Sequence, residues 1–135
     1  AGYKTKAIGH NSFAVGYQSE ATESSSFAAG ELAKATGTSS TASGYRTNAS
    51  GDYSVALGGW CGAAGLYSVS MGFFSVAAGN YAFTLGQACN ANGDVSYAFG
   101  EGLTVDGLRS VGFNMDGGVR TITANRVFSI LTFRR

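Results

Sequence analysis

Gly44-Tyr45-Arg46-Thr47-Asn48-Ala49-Ser50-Gly51-Asp52-Tyr53-Ser54-Val55-Ala56-Leu57-Gly58 begins and ends on glycine, fourteen residues apart. The same interval holds along most of the chain, at Gly2, Gly16, Gly30, Gly44, Gly58, Gly72, Gly86 and Gly100. A fixed period of this kind marks a repeat architecture in which each unit buries its surface against the next. A second glycine column runs seven residues behind the first, at Gly9, Gly37, Gly51, Gly65, Gly79, Gly93 and Gly107, with Glu23 as the exception. Glycine turns at positive φ without steric cost. Two glycines per unit therefore predict two corners joining two short strands, and stacked units predict a parallel β-roll.

Alternation within the unit assigns the faces. With the first glycine as position zero, positions 3, 5, 10 and 12 are small, as in Thr5, Ala7, Ser12 and Ala14 or Thr47, Ala49, Ser54 and Ala56. On pleated strands these share one face and predict a narrow lumen. The outward face of the first strand is polar, with Lys4, Lys6, Gln18, Glu20, Lys34, Arg46 and Asn48. The outward face of the second carries Phe13, Val15, Phe27, Val55, Leu57, Val69, Met71, Phe83, Leu85, Tyr97, Phe99, Val111 and Phe113. An outward apolar ladder of this size predicts a subunit interface. At roughly 1.5–3 kcal/mol per buried side chain these residues supply an upper bound of about 20–40 kcal/mol. That exceeds the roughly 4–15 kcal/mol cost of association. One such face per roll suits closed cyclic symmetry, most simply a homotrimer.

Asn11-Ser12-Phe13-Ala14-Val15-Gly16, Tyr53-Ser54-Val55-Ala56-Leu57-Gly58 and Tyr67-Ser68-Val69-Ser70-Met71-Gly72 resemble the repeats of trimeric autotransporter adhesin heads, which also occur in phage tail fibres. The resemblance covers residues 2–113. It implies an all-β fold, a left-handed parallel β-roll solenoid of 14-residue coils in a threefold bundle, and an adhesive role at a cell surface. It names no receptor, and a neck, coiled coil and membrane anchor are not recognisable in this chain.

Composition fits a fibre module. Proline is absent, as expected where interior N–H groups belong to a ladder. A net charge of +1 with 13% charged residues argues against nucleic acid or an anionic membrane as partner. No signal peptide or apolar run of about eighteen residues is evident, so neither targeting nor membrane insertion is expected from these residues. Cys61 and Cys89 both fall at lumen position 3, two units apart. Two rungs separate them by about 10 Å, too far for a disulfide. Buried free thiols suit assembly in a reducing compartment, which favours a virion tail fibre over an exported bacterial adhesin.

The water-facing pattern breaks in the middle. Trp60, Phe73, Phe74 and Val76 replace polar residues, and Leu66 and Tyr67 lie near the following corner. Trp60 and Phe74 share position 2 of successive units and are expected to stack one rung apart. An exposed aromatic pair is a platform for sugar rings or a protein receptor; packing against a neighbouring subunit or against Leu32 and Ala88 is the other reading. Tyr3, Tyr17 and Tyr45 share one column and Tyr53, Tyr67 and Tyr81 another, read as stacked ladders shielding an interface rim. Ala29, Thr41 and Ser43 interrupt the apolar ladder, as a polar layer near the axis or as repeat drift.

Enzyme chemistry finds little support. The single histidine, His10, sits at a corner, so no repeated imidazole set exists for zinc and no nucleophile triad is suggested. Asp52 and Asp94 lie three rungs apart, about 14 Å, beyond the separation of paired glycosidase acids. Asp94 and Asp106 flank neighbouring corners but read as turn residues. No metal or other cofactor is expected. Ice binding would need a regular threonine ladder, and position 2 is irregular.

After Phe113 the period stops. Asn114-Met115-Asp116-Gly117-Gly118 reads as a turn, followed by β-prone runs at Val119 to Thr123 and Val127 to Phe133, ending in Arg134-Arg135. The expected organisation is an eight-coil roll over residues 1–113 and a C-terminal β cap over 114–135, or a tip whose strands exchange between subunits. Taken together, the sequence reads as a structural and adhesive segment of a homotrimeric extracellular attachment fibre. The expected setting is a phage tail fibre contacting a host-surface glycan or protein receptor. The alternatives are a bacterial adhesin head and a non-binding spacer.

Overall fold

Small residues at every second position let two sheets approach until a fourteen-residue coil closes. The computed structural model, which describes residues 2–132, contains that coil about nine times. Ala1, Phe133, Arg134 and Arg135 lie outside the described residues. Among the described residues there is no helix. Long strands such as Val55–Gly59 and Val69–Phe73 form a ten-stranded sheet, and short ones such as Gly62–Ala63 and Val76–Ala77 a nine-stranded sheet. Every pairing is parallel, and up to Asn114 each joins residues fourteen apart, as in Gly58↔Gly72 and Met71↔Leu85.

The lumen is where alternation placed it. Ala21, Ala35, Ala49, Ala56, Ala63 and Ala77 are fully buried, as are Ser19, Ser40 and Thr84. Some buried hydroxyls turn to nearby acceptors: Ser26 Oγ donates to the Glu23 carbonyl at 2.6 Å and Ser75 Oγ to the Gly86 carbonyl at 3.0 Å, whereas those of Thr47, Ser54 and Ser68 find none among the described residues. Cys61 and Cys89 are free and buried, their thiols donating to the Gly72 and Gly100 carbonyls. Burial pushes the Cys89 thiol above its ordinary value.

The glycines do the expected job in one column and a different one in the other. The residues that turn with φ between +52° and +58° are not glycines but Gln18, Arg46, Tyr53, Trp60, Tyr67, Phe74 and their equivalents. The first glycine column lies inside the long strands at φ between +117° and +144°, which glycine alone adopts freely, and the second occupies a bend at ordinary φ. What both columns require is closeness between rungs. A Cβ on Gly58 would stand 2.1 Å from the Gly72 carbonyl oxygen, and one on Gly51 2.1 Å from that of Gly65. Left-handed non-glycine residues cost of order 1–3 kcal/mol each. Here each from Gln18 onward donates to the coil before it, such as Trp60 N–H to Tyr45 O at 2.8 Å and Tyr67 N–H to Asp52 O at 2.9 Å.

Residues 114–132 extend both sheets. Arg120–Ile122 pairs with Leu103–Val105, and Phe128–Leu131 with Val111–Asn114, again in parallel. The segment therefore covers the eighth coil by laying another coil on it, and it leaves Phe128 and Ile130 exposed. The spacing here is seventeen residues, Val111↔Phe128, and the added length goes into the turn at Asn114. Asn114 Nδ2 donates to the Glu101 and Gly118 carbonyls, both at 2.6 Å, and Arg120 pairs with Asp116 at 2.7 Å. The lumen is also refilled. Leu103 and Val105 replace small residues, and Gly112 makes room, since a Cβ there would lie 2.8 Å from Leu103 Cδ2.

Candidate receptor-contact corners

Each long strand ends in a corner whose turning residue points its side chain outward. At one end stand Trp60 and Phe74, stacked at 5.5 Å between ring centroids and 18° between planes. Both are exposed, at 40% and 50%, and neither is covered by Leu32 or Ala88 within the chain. Phe73 meets Phe74 edge-on at 4.4 Å. Val76 sits beyond the corner, half-buried on the strand Val76–Ala77.

Two residues absent from the sequence-based patch complete this corner. Arg46 lies over the Trp60 ring, its Cζ 4.5 Å from the centroid, and Tyr45 meets Trp60 edge-on at 5.9 Å. Cation–π contact of this kind is worth about 0.5–1 kcal/mol at an exposed site. An open groove beside it is lined by Leu32, Lys34, Asn48 and Trp60. The period carried the missing signal: Arg46 precedes Trp60 by one unit in the same column.

Leu66 and Tyr67 are not part of that corner. They occupy the opposite one, where Tyr67 stacks on Tyr53 at 4.8 Å and on Tyr81 at 5.4 Å. Further along the same edge, an open groove of about 750 Å³ runs beside Tyr81, Asp94, Arg109 and Arg126. Thus the six candidates grouped in the sequence divide between two ends of the long strands.

Acidic and amide residues at this second corner have structural work. The Asp52 carboxylate accepts from the Thr38 N–H at 2.8 Å, and that of Asp94 from the Asn80 N–H at 2.9 Å. Asn80 and Asn125 do the same for the N–H groups of Leu66 and Leu108. Each satisfies a turn amide of the coil before it, one the ladder leaves unpaired. Asp106 accepts from Asn92 Nδ2 at 2.7 Å. His10 is an exposed turn residue.

The apolar ladder runs down the outside of the long-strand sheet. Phe13, Phe27 and Leu85 are exposed; Val15, Val55, Leu57, Val69, Met71, Phe83, Tyr97, Phe99, Val111 and Phe113 are half-buried by one another. Phe13 stacks on Phe27 at 5.3 Å and Phe99 on Phe113 at 4.8 Å. The short-strand sheet instead presents Lys6, Lys34 and Asn48, with a Lys6–Glu20 ion pair at 3.1 Å.

A parallel β-solenoid with a closed small-residue lumen and one apolar outer sheet defines an adhesin-like structural fibre segment. The chain belongs to the YadA head domain repeat family, whose model (2 copies) matches residues 7–31, 35–59 and 63–87, more than half of the sequence. Successive matches begin two coils apart. YadA-type heads are homotrimeric extracellular adhesin parts, structural rather than catalytic. No curated protein matches the chain.

Proposed function

We propose that the chain is a homotrimeric segment of an attachment fibre, with the apolar ladder facing the threefold axis and the Trp60 corner contacting a host-surface glycan or protein. The observation that carries this reading is the ladder itself. Thirteen large apolar side chains on one outer sheet, three of them exposed in the single chain, form a surface that association would cover. Nine coils make a rod about 43 Å long, and threefold copies of a weak site multiply its avidity.

Free, buried thiols at Cys61 and Cys89 favour assembly in a reducing compartment, hence a virion tail fibre over the head of an exported autotransporter. Light scattering tests the assembly: a trimeric mass is expected, and a monomer would overturn the interface argument. Host-cell and glycan-array binding of wild type beside Trp60→Ala/Phe74→Ala tests the contact. Loss of binding at equal trimer mass supports the corner, and equal binding by both proteins overturns it. Binding by neither favours a spacer.

A further inference from the structure

The two aromatic corners are far apart in one chain. Val55–Gly59 runs from Tyr53 at one corner to Trp60 at the other, and Val69–Phe73 runs from Tyr67 to Phe74. Seven extended residues separate the ends by about 23 Å, so the tyrosine ladder and the Trp60–Phe74 stack cannot touch. A threefold ring changes this. If three sheets face a common axis, each meets its neighbour edge to edge, and the contact is heterologous: one edge of a copy lies beside the opposite edge of the next. Rotation about the axis adds no shift along it, so residues meet at their own height.

We propose that the Trp60–Phe74 stack of one copy packs against the Tyr53–Tyr67–Tyr81 ladder of the next, so that the aromatic receptor surface is built by two subunits. This rests on the threefold reading above. Three observations support it. First, the heights agree. In the column of Trp60 and Phe74 the other turning residues are Lys4, Gln18, Leu32, Arg46 and Ala88; in the tyrosine column they are Asn11, Ser25, Ser39, Val95, Arg109 and Arg126. Aromatic residues occur in both columns only over the same coils.

Second, the tyrosine ladder is one rung longer than the stack it would meet. With Tyr67 in the middle, a tilt of one rung either way still sets Phe74 against a tyrosine. Third, charge is complementary beyond the aromatic block. Glu101 ends the strand Tyr97–Glu101 on one edge, and Arg109 stands one rung further on the other. Both are exposed, and among the described residues neither is in an ion pair within the chain. In the ring, Leu66 and Tyr67 of one copy come beside Trp60, Phe73 and Phe74 of the next.

Cross-linking tests the seam without a ligand. The full chain carrying Phe74→Cys and Tyr67→Cys is treated with a short bis-maleimide; Cys61 and Cys89 are buried and stay unmodified. The expected product on a denaturing gel is a covalent trimer, with monomer only from either single variant. Monomer from the double variant, at a trimeric mass in solution, overturns the seam. A monomeric wild type overturns the threefold reading and the seam with it.

Trp60 is the chain's only tryptophan and gives a second readout should the cysteine variant not assemble. Tyr53→Ala/Tyr67→Ala should shift Trp60 emission to the red and raise its quenching by acrylamide, and Tyr53→Phe/Tyr67→Phe should restore both. An unchanged spectrum in the alanine variant overturns the contact. Loss of the receptor reading would show only in the host-cell assay and would leave these results as they are.

Discussion

Regular coils and the last coil solve the same problem by different means. From Gly2 to Phe113 the rungs are held in phase by glycines whose missing Cβ lets one backbone lie against the next. From Asn114 onward the spacing is seventeen residues, Ile122 joins Leu103 and Val105 of the coil below in filling the lumen, and a side-chain network at Asn114 and Asp116 holds the turn. The comparison teaches that the period is a packing constraint and not a condition of pairing. Parallel ladder bonds form in both regions, but in the first every crossing point except Glu23 is a glycine.

Gly72→Ala should break the regular region most severely. Its Cβ would stand 2.0 Å from the Gly86 carbonyl oxygen at a φ of +118°, so a loss above about 4 kcal/mol, or failure to fold, is expected in denaturant melts. Next in size is Leu103→Ala in the lumen of the last coils, which should cost about 2–5 kcal/mol through the cavity it leaves. Gly112→Ala sharpens that result. Alone it should destabilise by crowding Leu103, and in the Leu103→Ala background the penalty should shrink, a coupling that a double-mutant cycle measures.

A smaller effect, about 1 kcal/mol, is expected for Asp52→Ala, which strips the Thr38 N–H of its acceptor. Native-state hydrogen exchange should show that amide losing protection ahead of its neighbours. Smallest is the pH response of the last coil. The Arg120 hydrogen bond, then that from Gly118, holds the Asp116 carboxyl below its ordinary value of 3.8. A depressed folded-state pKa contributes stability that is present above the unfolded value and lost as pH falls through the folded one. The Asn114–Arg120 turn should therefore hold at pH 5 and loosen only below about 3.8; Asp116→Asn should abolish that dependence, as read from amide exchange of residues 116–120 across an acid series.

Much of this was legible because alternation and period are one-dimensional signals. The lumen at Ala56 and Ser54, the ladder at Leu57 and Met71 and the stack of Trp60 on Phe74 follow from counting by two and by fourteen. The role of the glycines was legible only in part: positive φ holds for the first column, but a column of glycine does not say that a neighbouring backbone also excludes the side chain, which is the whole reason in the second. Nor was the division of the aromatic candidates. Tyr67 and Phe74 are seven residues apart, half a coil, which puts them at opposite ends of one strand; sequence proximity hid that. Arg46 escaped notice because it was sorted by polarity into the water-facing set, although it stands in the same column as Trp60, one coil before it.

One property of the ladder reaches beyond stability. Almost every pairing joins residues fourteen apart, so ordering proceeds by closing short loops of constant length, each on the coil just completed. Removing or duplicating one unit leaves every face in phase and every neighbour of the same kind. Reach can then be inherited in steps of about 4.8 Å, one coil at a time, while the corners that carry the aromatic rings travel along the rod as interchangeable modules.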